Sequence, residues 1–265
     1  MAAVVDSVTV PAGCTIIYRD SNHRYQLRQG DEKPQYVPSV STVLDGAIPK
    51  NLSGWAERNA VASVLEVLRA EPEQPGPEWG QEEMLSYMQH LNLRWWQHRQ
   101  AAALRGTSVH TAFESLSEGT VPKLSKFPAA ERGYLKGMFA WWAEHEPEAE
   151  MVEVMLASLQ DRFAGRTDLV AKVNGRRGII DLKTSKSIRE SHHFQLQGYR
   201  SGLRDSGYGE VDFTAVLRVG DDGTFEFQES WATEGQWEAL LESYTAQKQF
   251  ERDTPKEIKD RRKAA

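Results

Sequence analysis

A mixed α/β fold around one central sheet is predicted by three features of the sequence. The first is element order: helical patterns, then a strand and a hairpin, then a helix, then further strands. The second is Asn174-Gly175, a two-residue turn signal set between the strand-like runs Arg166–Val173 and Gly178–Lys183. The third is Ile179-Ile180, adjacent β-branched residues of the kind found in a strand buried on both faces.

Taken in order, Thr15–Leu27 reads as a short peripheral hairpin turning at Asp20-Ser21-Asn22. In Tyr36–Leu44, Pro38 and the Ser/Thr run predict the start of a helix. Trp55–Ala70 has the spacing of an amphipathic helix with Ala60, Val64, Leu65 and Leu68 inward. Glu71–Gly80, with three prolines and two glycines, is expected to be a surface loop. Glu82–Leu104 is strongly helical in pattern, and Gly106 is expected to end that helix, with Thr107 or Ser108 capping the next. On this next helix His110 and Glu114 are four apart and share a face. A further helix spans Pro128–His145 and stops before Pro147, and Met151–Leu159 is a strand leading into the central hairpin. After Lys183 come a polar link, a helix over Ser191–Leu203, and a hairpin of Val211–Val219 with Thr224–Trp231. Glu234–Arg252 forms a last helix before a charged, frayed tail. One elaborated domain over residues 1–265 is expected: an N-terminal hairpin and helical elaboration (1–104), a core (105–232), and a C-terminal helix with its tail (233–265).

Composition narrows the function classes. Apolar content of 40% and charged content of 26% fit a soluble globular chain rather than a fibrous or disordered one. No apolar run is long enough to span a bilayer, and Met1–Pro11 lacks a secretory pattern. A single cysteine, Cys14, provides neither a disulfide framework nor a thiolate cage, and a cytoplasmic setting is expected. The net charge of −6 argues against a polyanionic partner, but its distribution argues for one. Between Arg162 and Arg204 ten basic residues stand against three acidic ones, a local +7. Such a window is either a polyanion groove or an ordinary solvated basic face.

The chemistry centres on Asp168, Asp181 and Lys183. If the strands pair around Asn174-Gly175, the two aspartates lie on neighbouring strands, and Asp181 and Lys183 share a face. Charge at the end of an apolar sheet is costly unless it is paired or bound to metal. Two carboxylates, with the Leu182 carbonyl as a third oxygen, suit Mg²⁺, and a lysine beside them can offset charge on a phosphorane. Trp95-Trp96 and Trp141-Trp142 each place one ring inward and one outward, for core packing or for stacking on an unpaired base.

Four motifs in this order resemble the PD-(D/E)XK nuclease superfamily, and within it the RecB-like exonuclease branch. They are Gly106-Thr107-x-x-His110-x-x-x-Glu114, Gly165-x-x-Asp168, Ile180-Asp181-Leu182-Lys183-Thr184 and Gln195-x-x-x-Tyr199. Pro38–Leu44 also resembles a segment common in phage-encoded members. The resemblance implies a restriction-endonuclease-like mixed sheet flanked by helices. It further implies a DNA nuclease that uses one or two Mg²⁺ or Mn²⁺ ions, held by His110, Asp168, Asp181 and the Leu182 carbonyl, with Lys183 catalytic. Glu114 either joins this catalytic set by orienting His110 or pairs with an arginine. Gln195 and Tyr199 position the DNA backbone or Lys183, or simply pack the helix. Arg105, Arg166, Lys186, Arg189 and Arg200 are candidate phosphate contacts.

Thr167 stands where many members have proline, a tolerable change because only the following carboxylate coordinates; the iron–sulfur cluster of some relatives cannot form here. The implied activity is that of an exonuclease in recombination, repair or replication, acting on linear or single-stranded DNA ends in a bacterial or phage-infected cell. A recombinase or single-strand-binding protein is a possible partner. A structure- or site-selective endonuclease and a catalytically weak DNA-binding module remain as alternatives.

Overall fold

The computed structural model describes residues 5–19, 23–48, 58, 61–67, 80–91, 93, 95–256 and 258. The chain divides into two compact units, one of Met1–Pro49 with His110–Ala265 and one of Lys50–Val109.

In the first unit a five-stranded sheet runs in chain order: β5 (Glu148–Ser158), β6 (Phe163–Val173), β7 (Arg176–Lys183), β8 (Phe213–Val219) and β9 (Phe225–Glu229). All neighbours are antiparallel except β7 and β8. A parallel pair needs a crossover, which α5 (Glu190–Asp205) supplies. The sheet is therefore mixed, with helices packed on it, as expected. The turn between β6 and β7 has Asn174 at φ 51° and Gly175 at φ 75°, the double left-handed geometry that an Asn-Gly hairpin favours. Ile179 and Ile180 are both fully buried, in keeping with a central strand covered on two faces.

Four earlier strands, β1 (Val5–Thr9), β2 (Cys14–Arg19), β3 (Arg24–Gln29) and β4 (Gln35–Val37), form a second, antiparallel sheet in chain order. This segment is not peripheral. Ile16, Tyr25, Leu27 and Val37 share a buried cluster with Met155, Ala157 and Ala164 of β5 and β6. Alternation along β2 and β3 leaves one apolar face that cannot remain in water, and the larger sheet covers it. The hairpin turn expected at residues 20–22 lies outside the described residues.

Helix α1 (Val40–Ala47) starts where Ser39 caps it, its hydroxyl accepting from the Thr42 N–H at 3.0 Å. The Pro38 carbonyl also accepts from Ala164 N–H at 3.0 Å, which ties this start to β6. Val40, Val43 and Leu44 then join Leu156, Phe163, Ile179, Leu196 and Trp237 in the main core, the last residue carried by α6 (Glu234–Asp253).

The second unit is helical where described. Residues 61–67 are helical, as expected for part of Trp55–Ala70, and α2 spans Gln81–His90. Their apolar faces meet in a small cluster of Val67, Met88 and Leu93. The expected loop at residues 71–79 and the end of the tail fall outside the described residues.

One helical expectation is overturned. α3 is continuous from Trp95 to Ser117, straight through Gly106, and the break in helix comes earlier, after His90. Thr107 donates its hydroxyl to the Ala103 carbonyl four residues back (3.2 Å), so this side chain bonds along the helix rather than capping a new one.

The remaining long helix, α4 (Arg132–His145), ends with Glu146 in the left-handed region at φ 43°. Its glycines are spaced for contact: a Cβ on Gly133 would collide with the Asp221 backbone carbonyl, and one on Gly137 with that of Thr224. Backbone cannot swing aside as a side chain can. Gly133→Ala is therefore expected to destabilise the protein by about 3 kcal/mol, which for a chain of this size lowers Tm by roughly 6–12 °C in a thermal melt. An unchanged Tm would mean that α4 does not rest on the β8–β9 turn.

Trp141 is fully buried with its ring centroid 6.2 Å from that of Phe113, and Trp142 is half-buried at 6.1 Å from the same ring. Trp96 is partly exposed, and the Trp95 side chain lies outside the described residues. No described helix is long and apolar enough to cross a membrane.

Candidate active site

The site forms where β6 and β7 part. Their ladder runs from Val173↔Arg176 to Leu169↔Ile180 and stops there, one pair short of Asp168 and Asp181. In place of a ladder bond, the Asp168 carboxylate accepts from the Leu182 N–H at 2.7 Å. This fixes Asp168 at the mouth of the split. His110, from α3, lies with Nδ1 3.2 Å from the other Asp168 oxygen.

On the opposite side of β6, Glu153 of β5 completes a group that motif reasoning did not find. The pairs Val152↔Leu169 and Val154↔Thr167 place it opposite Asp168. Its backbone is left-handed at φ 48°, uncommon for a non-glycine residue and strained in a strand. Ligand atoms of His110, Glu153 and Asp168 all lie within 4.8 Å of one another. One imidazole nitrogen and two carboxylates at that spacing suit a divalent cation. The only hint of Glu153 in the sequence is a single acid inside the apolar strand Met151–Leu159.

Asp181 is 2% exposed and points at Lys183, with Oδ2 to Nζ at 2.5 Å. Beyond this ion pair, Oδ2 has no hydrogen-bond partner among the described residues. A buried carboxylate oxygen in that condition has spare coordinating capacity, which also fits a cation site.

The local fields sort these acids. Burial raises the Asp181 pKa, more than the neighbouring Lys183 ammonium can lower it. Burial acts on Asp168 too, but His110, Lys183 and the Leu182 N–H together hold it below the ordinary carboxylate range. For Glu153, burial and then the Asp168 charge push the pKa up to about 7, with Glu114 adding to the rise. For His110, burial lowers the pKa, yet the adjoining Asp168 outweighs it and holds the imidazole above its usual value. Acidic groups with pKa values pushed apart in one small volume mark sites where proton or metal chemistry is done.

The remaining expected residues fall into groups. Glu114 is half-buried one turn beyond His110, near enough to act on Glu153 electrostatically but outside the three-residue ligand group. Gln195 donates to the Tyr199 hydroxyl at 2.6 Å, and burial puts the Tyr199 pKa well above normal. Tyr199 lies over Gly165, where an added Cβ would come within 3.0 Å of its ring. Arg105 is half-buried in the second unit. Lys186 and Arg189 are exposed beyond the end of β7. Arg200 is tied to the Val211 carbonyl at 3.0 Å and to Glu234 at 3.8 Å.

Much of the basic window is matched within the fold. Seven of its ten cations, Arg166, Lys172, Arg176, Arg177, Lys183, Arg200 and Arg204, stand within ion-pair distance of an acid. Most of those acids come from outside the window, which is why a sequence count overstates the free positive charge.

The sequence profile of the PD-(D/E)XK nuclease superfamily matches residues 84–264, about two-thirds of the chain. This chain belongs to the PD-(D/E)XK nuclease superfamily. The match of this PD-(D/E)XK protein takes in the whole β5–β9 sheet with His110, Glu153, Asp168, Asp181 and Lys183, and leaves out the N-terminal sheet and α1. No curated protein matches it in sequence. Among solved structures it resembles SSO0001, at 18% identity and a TM-score of 0.28, over 42% of this chain and 55% of that one. It also resembles an alkaline exonuclease, LHK-Exo, from Laribacter hongkongensis: 13% identity and TM-score 0.33, over 60% and 84% of the two chains. The same protein in complex with dAMP gives 12% identity and TM-score 0.32, over 55% and 80%. Likenesses of that size say nothing about the activity of this chain.

Proposed function

We propose that this protein is a divalent-metal-dependent deoxyribonuclease of the RecB-like branch, an exonuclease that hydrolyses phosphodiester bonds at DNA ends. The observation that carries this reading is the convergence of His110, Glu153 and Asp168 beside the Asp181–Lys183 pair. Support for the branch comes from the chain order His110, Asp168, Asp181-x-Lys183, Gln195-x-x-x-Tyr199.

In this reading His110, Asp168, Asp181 and the Leu182 carbonyl hold one or two Mg²⁺ or Mn²⁺ ions, with Glu153 as an added ligand. The imidazole tilts the preference toward Mn²⁺. Bound there, such an ion would polarise a phosphoryl oxygen and make its bound water more acidic. The protein's own groups do the rest. Lys183 keeps a positive charge where the phosphate oxygens become more negative, and Asp181 holds that ammonium in place. The Leu182 N–H keeps Asp168 from rotating. The Gln195–Tyr199 hydrogen bond fixes Tyr199 along Gly165, and exposed Lys186 and Arg189 contact phosphates of the strand. The setting proposed is recombination, repair or replication in a bacterial or phage-infected cytoplasm, with a recombinase or single-strand-binding protein as possible partner.

End-labelled linear DNA and closed circular DNA, each with Mg²⁺, Mn²⁺ or EDTA, test the reading directly. Loss of linear DNA only, in either metal and not in EDTA, is expected. Nicked circles would replace the exonuclease with an endonuclease of the same fold. DNA binding without cleavage in both metals would leave a regulatory binding module.

A further inference from the structure

Beside the metal-ligand group, and within the same compact unit, a half-open cleft of about 290 Å³ separates the N-terminal sheet from β6. Its walls include Tyr18, His23, Tyr25, Ser41, Arg166 and Tyr199. Four of these six carry flat rings and a fifth a flat guanidinium. Tyr18 and Tyr25 face each other across β2 and β3 with centroids 4.8 Å apart, and the Tyr18 hydroxyl meets His23 Nδ1 at 2.8 Å. The Arg166 guanidinium lies 5.1 Å over the Tyr18 ring.

Arg166 also joins the cleft to the reaction centre, with Nη1 4.0 Å from the Glu153 carboxylate. Its Nη2 donates to the Asp6 carboxylate at 2.9 Å, which holds the flat guanidinium in the cleft wall. The volume is at the lower end for small-ligand pockets, which run from about 300 to 1,000 Å³. A duplex cannot enter such a space; a single splayed nucleotide can. Flat side chains with a guanidinium among them are what unpaired bases stack on. Tyr18, His23, Tyr25 and Ser41 lie outside residues 84–264, so most of this wall is an addition to the family core.

We propose that the cleft receives the base of an unpaired nucleotide next to the phosphodiester at the His110–Glu153–Asp168 group, so that the substrate is a single-stranded end. This rests on the nuclease reading above and adds a substrate class to it.

The full chain can be tested in EDTA or Ca²⁺ with single-stranded oligonucleotides carrying 2-aminopurine at successive positions, and with matched strands abasic at each position. Quenching at one position is expected, and removing that base should weaken binding by roughly tenfold or more, as for the loss of one stacked base. Ser41 is exposed, so Ser41→Trp can plug the cleft without disturbing the core. That variant should keep its Tm and lose the positional quenching; Tyr18→Leu should lose the quenching as well. A blunt duplex with the same probe should stay unquenched. Equal affinity for abasic and intact strands, or affinity set by a terminal phosphate alone, would overturn the cleft. Cleavage in Mg²⁺ or Mn²⁺ is then measured on the same strands. Cleavage that ignores both the missing base and Ser41→Trp would overturn the cleft alone. Absence of any DNA binding or cleavage would overturn it together with the nuclease reading.

Discussion

Asp181→Asn is expected to lower cleavage by at least a factor of about 100 while leaving Tm unchanged or higher, and Lys183→Ala to lower cleavage as much. The two stability outcomes should differ. Asp181 is already costly as an anion, because burial raises its pKa despite the lysine beside it. A neutral amide of the same shape removes that cost. Lys183→Ala instead leaves the buried Asp181 carboxylate without its cation, a change that destabilises a folded chain unless the acid takes up a proton. Its Tm penalty should therefore be smaller at pH 5 than at pH 8. Initial rates on labelled DNA, with melts at both pH values, check all of this. Wild-type rates in either variant would remove that residue from the mechanism.

Glu153→Gln is expected to stabilise the metal-free protein at pH 8 by about 1–3 kcal/mol and to abolish most of the stabilisation that Mn²⁺ or Mg²⁺ confers. The folded chain holds a proton on Glu153 up to about pH 7, while an unfolded chain releases it near the ordinary value of 4.5. Between those two pH values the folded state binds more protons at Glu153, so the contribution of this group to stability falls as pH rises and is not recovered above pH 7. Glutamine has no proton to lose, and its partial exposure in the wild type keeps the gain below the full shift. Melts in EDTA at pH 5 and pH 8, repeated with added metal, check the sign. Identical pH dependence in the variant and the wild type would mean that Glu153 does not titrate as its surroundings require.

What could be read from the sequence follows the range of the forces involved. The Asn174-Gly175 turn, the helix start in the Ser/Thr run after Pro38 and the buried Ile179-Ile180 strand depend on local geometry, and each is found where expected. The placement of Glu153 is not local. β5 carries a bulge at Glu150, where the register shifts between Ala149↔Ala171 and Met151↔Val170. Without that extra residue Glu153 would face Thr167; with it, Glu153 faces Asp168. A one-residue slip is invisible in composition or alternation, and it decides which side chain reaches the ligand group. Gly106 misled for the opposite reason. A glycine costs a helix only about 1 kcal/mol, and α3 continues through it with the neighbouring Thr107 hydroxyl turned onto the helix backbone.

The shared core of the N-terminal sheet has a consequence for synthesis. Ile16, Leu27 and Val37 leave the ribosome well over a hundred residues ahead of Met155, Ala157 and Ala164, which finally cover them. At translation rates of about 5–20 residues per second this is an interval of roughly 6–25 s. For that time a nascent apolar strand surface with open edges is available to chaperones or to its neighbours on the same message, so growth temperature and translation speed should affect the yield of native protein.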